Sequence, residues 1–121
     1  MTARIVIAED EAIIRMDLRE MLEEEGYEVV GEAADGEEAV RLAGERRPDV
    51  ILMDISMPLM DGIEAAKTIK AADDDVSILM LTGSNARGDV DRARKAGAAG
   101  YVTKDRIAAE LVEAILEVAG R

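Results

Sequence analysis

The sequence contains no cysteine and no histidine, and these two absences exclude whole classes of chemistry. Without cysteine there are no disulfide bonds, no thiol catalysis and no cysteine-based metal sites. Without histidine, the usual general base and the usual zinc ligand are both missing. Any chemistry must therefore use carboxylates, hydroxyls, amines and metal ions that prefer oxygen ligands.

Long apolar runs and clusters of basic residues are also missing. No run approaches the roughly 18 apolar residues of a membrane span, and no signal-peptide pattern precedes the first predicted strand. The formal charge is −12, from 15 basic and 27 acidic residues. Because binding to nucleic acid relies on Lys and Arg that neutralise phosphates, we expect no direct nucleic-acid binding. These features predict a cytoplasmic protein that is not associated with membranes.

What is present is the pattern of one α/β domain over residues 1–121. Five short apolar runs, rich in β-branched residues, alternate with helical patterns. The predicted strands are residues 4–8, 27–31, 50–53, 76–81 and 99–103, and the last three helices are residues 62–72, 85–96 and 106–119. This alternation predicts a doubly wound five-stranded parallel sheet with helices on both faces and flavodoxin-like strand order. The second strand alternates in polarity, so we expect it at an edge of the sheet.

Polar side chains follow four of the five predicted strands. Glu9 and Asp10 follow the first strand, and Asp54 follows the third. Thr82 follows the fourth strand and Lys104 the fifth. In open α/β sheets, ligands bind beyond the carboxyl ends of the strands, so we expect these side chains to converge. Taken singly, most have simpler interpretations as a helix N-terminus, a turn or a solvated charge. The set indicates a functional site.

The residue types in this set suit phosphoryl chemistry. Three carboxylates at close range repel one another and need a counter-ion. Mg²⁺ (or Mn²⁺) is a hard cation that carboxylates bind, so it is the expected cofactor. Asp54 can act as a nucleophile that forms an acyl phosphate. Lys104 would then supply positive charge and Thr82 a hydroxyl donor for the phosphoryl oxygens.

Four separated segments extend this pattern to a known family. They are residues 5–11 (IVIAEDE), 48–62 (PDVILMDISMPLMDG), 81–83 (LTG) and 97–104 (GAAGYVTK). Together they resemble the receiver domain of two-component response regulators, in its single-domain form, over essentially the whole chain. A single-domain regulator and part of a longer regulator would show the same pattern.

The resemblance implies a role for each residue at the acidic end. Asp54 would accept the phosphoryl group and also bind the metal. Asp10 would bind Mg²⁺ directly, Glu9 would act largely through metal-bound water, and Ser56 would offer its backbone carbonyl. The chain would be a regulatory phosphoacceptor that catalyses only its own phosphorylation and dephosphorylation.

The resemblance also implies a switch. Thr82 and Lys104 match the family's catalytic hydroxyl and lysine. Tyr101 matches an aromatic residue that changes rotamer when the hydroxyl moves. The competing interpretation of Tyr101 is an ordinary half-buried ring with a solvated hydroxyl. We prefer the switch, because the chain has only two aromatic residues.

The implied partners are proteins. The phosphoryl group would come from a sensor histidine kinase or a histidine phosphotransfer protein. The output surface would comprise the helix 85–96, the strand 99–103 and the helix 106–119, and it would bind a downstream protein target that the sequence does not identify. A weak homodimer is a further expectation.

Some positions depart from the usual family pattern. Glu9 replaces a more frequent Asp, and Gly83 replaces a more usual Ala. Asp105 follows Lys104 where the family often has proline. A cis peptide bond there would cost about 2.5–4 kcal/mol without proline, so we expect either a trans bond or a strained cis bond. Asp105 is also a candidate N-cap of the last helix.

Two features of the loops concern geometry and phosphoryl lifetime. Pro58 fixes the backbone and Gly62 is expected to permit a left-handed turn before the next helix. Ser56 and Ser84 each lie two residues after a site residue, and both are small and polar. We expect them to allow moderate access of water to an acyl phosphate.

Three other functions share part of this pattern. An FMN-binding flavodoxin-like protein should carry glycine-rich phosphate loops and aromatic residues beside the flavin, and these are missing. A phosphohydrolase with an aspartate nucleophile should carry a second Asp two positions after Asp54, where Ser56 stands. A pseudo-receiver that switches without phosphorylation should lack some of the five functional positions, and all five are retained.

Overall fold

The computed structural model describes residues 3–83 and 87–119. Within them, five strands alternate with five α-helices. The strands are β1 (Arg4–Ala8), β2 (Glu28–Ala33), β3 (Val50–Asp54), β4 (Ser77–Thr82) and β5 (Gly100–Thr103). The helices are α1 (Ala12–Glu24), α2 (Gly36–Arg46), α3 (Gly62–Ala72), α4 (Arg87–Lys95) and α5 (Ile107–Ala119). All neighbouring strands are parallel, in the order β2-β1-β3-β4-β5. The predicted fold, its strand order and the edge position of β2 are confirmed.

The sheet separates two layers of apolar side chains, because successive residues of a strand point to opposite faces. Helices α2, α3 and α4 cover one face, and α1 and α5 cover the other. The strand residues of the first face include Val6, Ala8, Ile51, Met53, Ile78 and Met80. Those of the second face include Ile5, Ile7, Val50, Leu52, Leu79 and Leu81. Strand β3 is buried along its whole length, which explains its continuous apolar run.

Side-chain caps and turn residues set several helix boundaries. The carboxylate of Asp35 accepts a hydrogen bond from the N–H of Glu38 at 2.8 Å and begins α2. The carboxylate of Asp61 does the same for Glu64 at 2.9 Å and begins α3. Both are ordinary aspartate N-caps. In the described parts of the chain, no helix is long and apolar enough to cross a membrane.

The last helix begins differently from the prediction. Residues Lys104–Arg106 form a short 3₁₀ helix that continues directly into α5. Asp105 therefore lies inside a helical turn, and its predicted role as N-cap of the last helix is wrong. The peptide bond between Lys104 and Asp105 is trans, one of the two expected states.

Candidate functional site

The carboxyl ends of the strands bring the predicted residues to one edge of the sheet. The pairing of β1 with β3 ends at Ala8 opposite Met53, so Glu9 lies just beyond the sheet beside Asp54. Asp54 is opposite Leu81 in β4, and Thr82 is the last residue of that strand. Lys104 follows β5 directly. The strand order thus places all of these residues in one crevice.

Three carboxylates form the centre of this crevice. Glu9, Asp10 and Asp54 each offer one oxygen, and these oxygens lie within 4.8 Å of one another. The Glu9 side chain is fully buried and Asp54 is 2% exposed, whereas Asp10 is exposed to solvent. The predicted convergence of these three acids is confirmed.

Lys104 is shared between the two buried carboxylates. Its Nζ donates a hydrogen bond to Asp54 Oδ2 at 3.1 Å and lies 3.4 Å from Glu9 Oε2. Burial by itself lowers the pKa of Lys104. The hydrogen bond to Asp54 and the charges of Asp54 and Glu9 outweigh burial and raise that pKa overall. Lys104 therefore remains a cation near neutral pH.

The buried carboxyl group of Glu9 lies in an environment that disfavours its ionised form. Burial, and then the charge of Asp54, raises the pKa of Glu9 to about 7, although Lys104 and the backbone N–H of Glu11 act in the opposite direction. Within the residues that the structure describes, Glu9 Oε2 accepts no hydrogen bond. A buried carboxylate oxygen without a hydrogen bond is unfavourable. A cation held by oxygen ligands would satisfy it, so the donor set fits Mg²⁺.

Close packing of the loop after β3 holds Asp54 in place. A Cβ atom on Gly62 would lie 2.2 Å from the backbone oxygen of Asp54, so α3 begins directly against the backbone of the strand. The predicted left-handed turn at Gly62 is wrong, because the positive φ of this loop, 67°, belongs to Leu59. The N–H of Ser56 donates to Asp54 Oδ1 at 3.2 Å. A glycine is needed at position 62 because any side chain would clash with the backbone of Asp54.

The two switch candidates differ in exposure. Thr82 is 2% exposed and pairs with Thr103 across β4 and β5. Tyr101 is 43% exposed on the edge strand β5. A cavity of about 240 Å³ lies between β5 and α4, and Tyr101 is one of its lining residues. Gly83 is exposed. Ser84, which was predicted to influence the access of water, lies outside the described residues.

One contact to the site was missed in the sequence. Arg15, in the first turns of α1, donates from Nη1 to the backbone oxygen of Glu9 at 2.6 Å. Its Nε also lies 3.3 Å from Glu32 Oε1 on β2. In the sequence, the only indication of this contact was a basic residue next to Ile14, which lies on the inward side of α1. The partner Glu32 is 17 positions away, and only the fold brings the two residues together.

Comparison with known proteins is consistent with this geometry. A family model for the response regulator receiver domain matches residues 5–116. Over 112 residues the chain is 54% identical to the transcriptional regulatory protein PdtaR of Mycobacterium tuberculosis, a match that covers 93% of this chain and 54% of PdtaR. Over 118 residues it is 39% identical to the chemotaxis protein CheY of Thermotoga maritima, covering 98% of each chain. The chain thus spans about half the length of PdtaR and nearly all of CheY.

A solved structure matches the complete fold. The crystal structure of the response regulator domain of Thermotoga maritima CheB superposes with a TM-score of 0.93 at 32% sequence identity. The match covers 100% of this chain and 98% of that one. The similarity therefore extends from β1 to α5.

Proposed function

The chain belongs to the response regulator receiver domain family of two-component systems, and we propose that Asp54 is its phosphoryl acceptor in a Mg²⁺-dependent reaction. The observation that carries the proposal is the buried Asp54 carboxylate, which lies within 4.8 Å of two further acids and 3.1 Å from the Lys104 ammonium. We propose one receiver domain over residues 1–121, acting in the cytoplasm as a phosphoacceptor and not as an enzyme with an external substrate.

Asp54 would act as the nucleophile. One of its carboxylate oxygens forms a bond to phosphorus while the P–N bond of a phosphohistidine, or the P–O bond of a small acyl phosphate, breaks. The leaving imidazole takes a proton from solvent. Lys104 donates to the phosphoryl oxygens as negative charge develops on them, and the Thr82 hydroxyl donates to them once the group is bound to Asp54.

The metal site would be formed at the carboxyl ends of two strands, β1 and β3. The proposed ligands are Glu9, Asp10, Asp54 and the backbone carbonyl of Ser56. When bound, Mg²⁺ would neutralise the acids and stabilise charge on the phosphoryl group. Two observations support this set: Glu9 is buried, and its Oε2 atom, 3.4 Å from Lys104 Nζ, accepts no hydrogen bond among the described residues.

Phosphorylation would change the surface of the α4, β5 and α5 region. A phosphoryl group adds roughly −1.5 to −2 charge, which attracts the Thr82 hydroxyl. The cavity of about 240 Å³ beside Tyr101 gives the ring a place to move when Thr82 is displaced. The proposed partners are a histidine kinase or histidine phosphotransfer protein on the input side, and a downstream protein or a second copy of the chain on the output side.

Intact-mass measurement tests the acceptor directly. The purified chain is incubated with a small acyl phosphate and Mg²⁺, and we expect the gain of one phosphoryl group. Asp54→Asn or excess EDTA should abolish the gain. Asp49→Asn is the matched control, because Asp49 lies at the opposite end of β3, where its carboxylate accepts the N–H of Arg4. An unmodified wild-type chain would refute the proposal.

A further inference from the structure

Glu9 lies just outside the sheet, and contacts from other elements hold its backbone. The pairing between β1 and β3 ends one residue before it. The Glu9 N–H donates to the carbonyl of Ala33, the last residue of β2, at 2.9 Å. The Glu9 carbonyl accepts the hydrogen bond from Arg15 Nη1 at 2.6 Å. The backbone of this buried acid is therefore fixed on both sides, by the edge strand and by α1.

Glu32 in turn holds Arg15. The Arg15 Nε lies 3.3 Å from Glu32 Oε1, and the two side chains are 22% and 28% exposed. A guanidinium group is a planar fork with five N–H donors, so one arginine can donate to a carbonyl and a carboxylate at the same time. Glu32 also pairs with Arg19, one turn further along α1.

We propose that Arg15 is a positioning residue for the metal site and that Glu32 keeps Arg15 in place. This inference rests on the proposed function. Mg²⁺ requires near-ideal octahedral geometry, so a small shift of the Glu9 backbone would weaken metal binding. Residues that orient metal ligands without touching the metal typically contribute 10–100-fold to affinity.

Arg19 provides a matched control on the same helix. It shares Glu32 with Arg15 and also pairs with Glu23 at 3.3 Å. Among the described contacts, Arg15 bonds to Glu9 and Arg19 does not. A general loss of α1 stability would follow from either substitution. A specific loss of Mg²⁺ affinity should follow only from substitution of Arg15.

Isothermal titration with MgCl₂ measures this difference on the full chain. For Arg15→Gln we expect an affinity about tenfold weaker than wild type. Glu32→Gln should weaken the affinity less and in the same direction, because Arg15 loses its anchor but keeps its bond to Glu9. Arg19→Gln should remain within about twofold of wild type, as expected for an exposed ion pair. Thermal unfolding in EDTA reports the structural effect of each substitution separately.

Phosphorylation by a small acyl phosphate provides a second readout. If Arg15 acts by positioning Glu9, raising the Mg²⁺ concentration should restore the rate of Arg15→Gln toward that of wild type. Unchanged Mg²⁺ affinity in Arg15→Gln overturns the inference, and so does an equal loss in Arg15→Gln and Arg19→Gln. If Arg15→Gln does not fold, Glu32→Gln and Arg15→Lys are titrated in its place, and unchanged Mg²⁺ affinity in both overturns the inference. A wild-type chain that binds no Mg²⁺ overturns the metal site itself and this inference with it.

Discussion

At the amino end of the sheet, charged side chains meet groups of opposite polarity. At the carboxyl end, two buried carboxylates share one ammonium group and a third carboxylate lies close to them. The Asp49 carboxylate accepts the N–H of Arg4 at 2.8 Å. Lys70 Nζ donates to the carbonyls of Asp74 and Val76 at 2.7 and 2.8 Å. The first contact joins the start of β1 to the residue that precedes β3, and the other two join α3 to the turn that precedes β4. The amino end therefore contributes to stability.

The carboxyl end of the sheet, in contrast, lowers the stability of the fold. Burial and the proximity of Asp54 raise the pKa of Glu9 to about 7, which means that ionising this pocket is unfavourable in the absence of a metal. Such an arrangement lowers stability and is maintained only where the rest of the fold enforces it. The difference between the two ends is that paired contacts stabilise the fold at one edge, whereas the other edge holds the buried acids of the proposed site.

The largest expected effect is a difference in phosphorylation rate between variants of two lysines of similar exposure. Lys104 and Lys70 are 24% and 21% exposed, one at each end of the sheet. Lys104→Ala removes the donor beside Asp54, and we expect the phosphorylation rate to fall by about 100-fold. Lys70→Ala should leave the rate unchanged and lower the free energy of unfolding in urea by about 1 kcal/mol. Equal rate losses in the two variants would contradict the distinction between the two ends.

Two glycines test the packing behind Asp54. Gly62→Ala would place a Cβ atom 2.2 Å from the Asp54 backbone oxygen, so we expect a loss of about 2 kcal/mol in unfolding free energy. Gly44→Ala, within α2, meets no atom within 4 Å and should instead raise the unfolding free energy by up to about 1 kcal/mol. Urea denaturation of both variants gives the comparison. A neutral Gly62→Ala would show that the strand and α3 can separate without cost.

A smaller effect with a change of sign is expected for Asp10. In EDTA, Asp10→Asn removes one of three like charges and should raise the unfolding free energy by about 0.5 kcal/mol. In saturating Mg²⁺ the order should reverse, because wild type gains the free energy of metal binding. Thermal unfolding with and without Mg²⁺ measures both. Glu20→Gln, an exposed acid on α1, should show no such reversal.

The smallest effect concerns the two tyrosines. Tyr101 is 43% exposed on β5, whereas Tyr27 lies partly buried just before β2. The chain has no tryptophan, so a Tyr27→Phe variant reports Tyr101 emission alone. We expect acrylamide quenching of that emission to decrease on phosphorylation, and quenching in Tyr101→Phe to stay constant. Unchanged quenching in both variants would reject Tyr101 as the switch.

Much of the fold and the site could be predicted from local patterns. The apolar run that ends in Asp54 indicates a strand buried on both faces, and such a strand must lie in the middle of a parallel sheet. Once that order is known, Glu9, Thr82 and Lys104 must approach Asp54. Regular alternation and the position of strand ends carry this information, and both are visible in one sequence.

The errors arose where contacts between distant residues decide the outcome. A glycine before a helix suggests a left-handed turn, but here Leu59 adopts the positive φ and Gly62 serves close packing. Arg15 contacts both Glu9 and Glu32, and only the pairing of β1 with β2 brings Glu32 near. Asp105 looked like an N-cap, but a 3₁₀ turn extends the helix past it.

The presence of one lysine beside three acids has a consequence for ion selectivity. When all three carboxylates are ionised, they exceed the charge of Lys104 by two negative charges. One divalent cation balances that excess, whereas one monovalent ion leaves the crevice anionic and one trivalent ion makes it cationic. Charge balance would therefore discriminate between ions of different valence before size or coordination number is considered. Under the proposed function, it would also make the crevice electrically neutral when a phosphoryl group, itself an anion, enters.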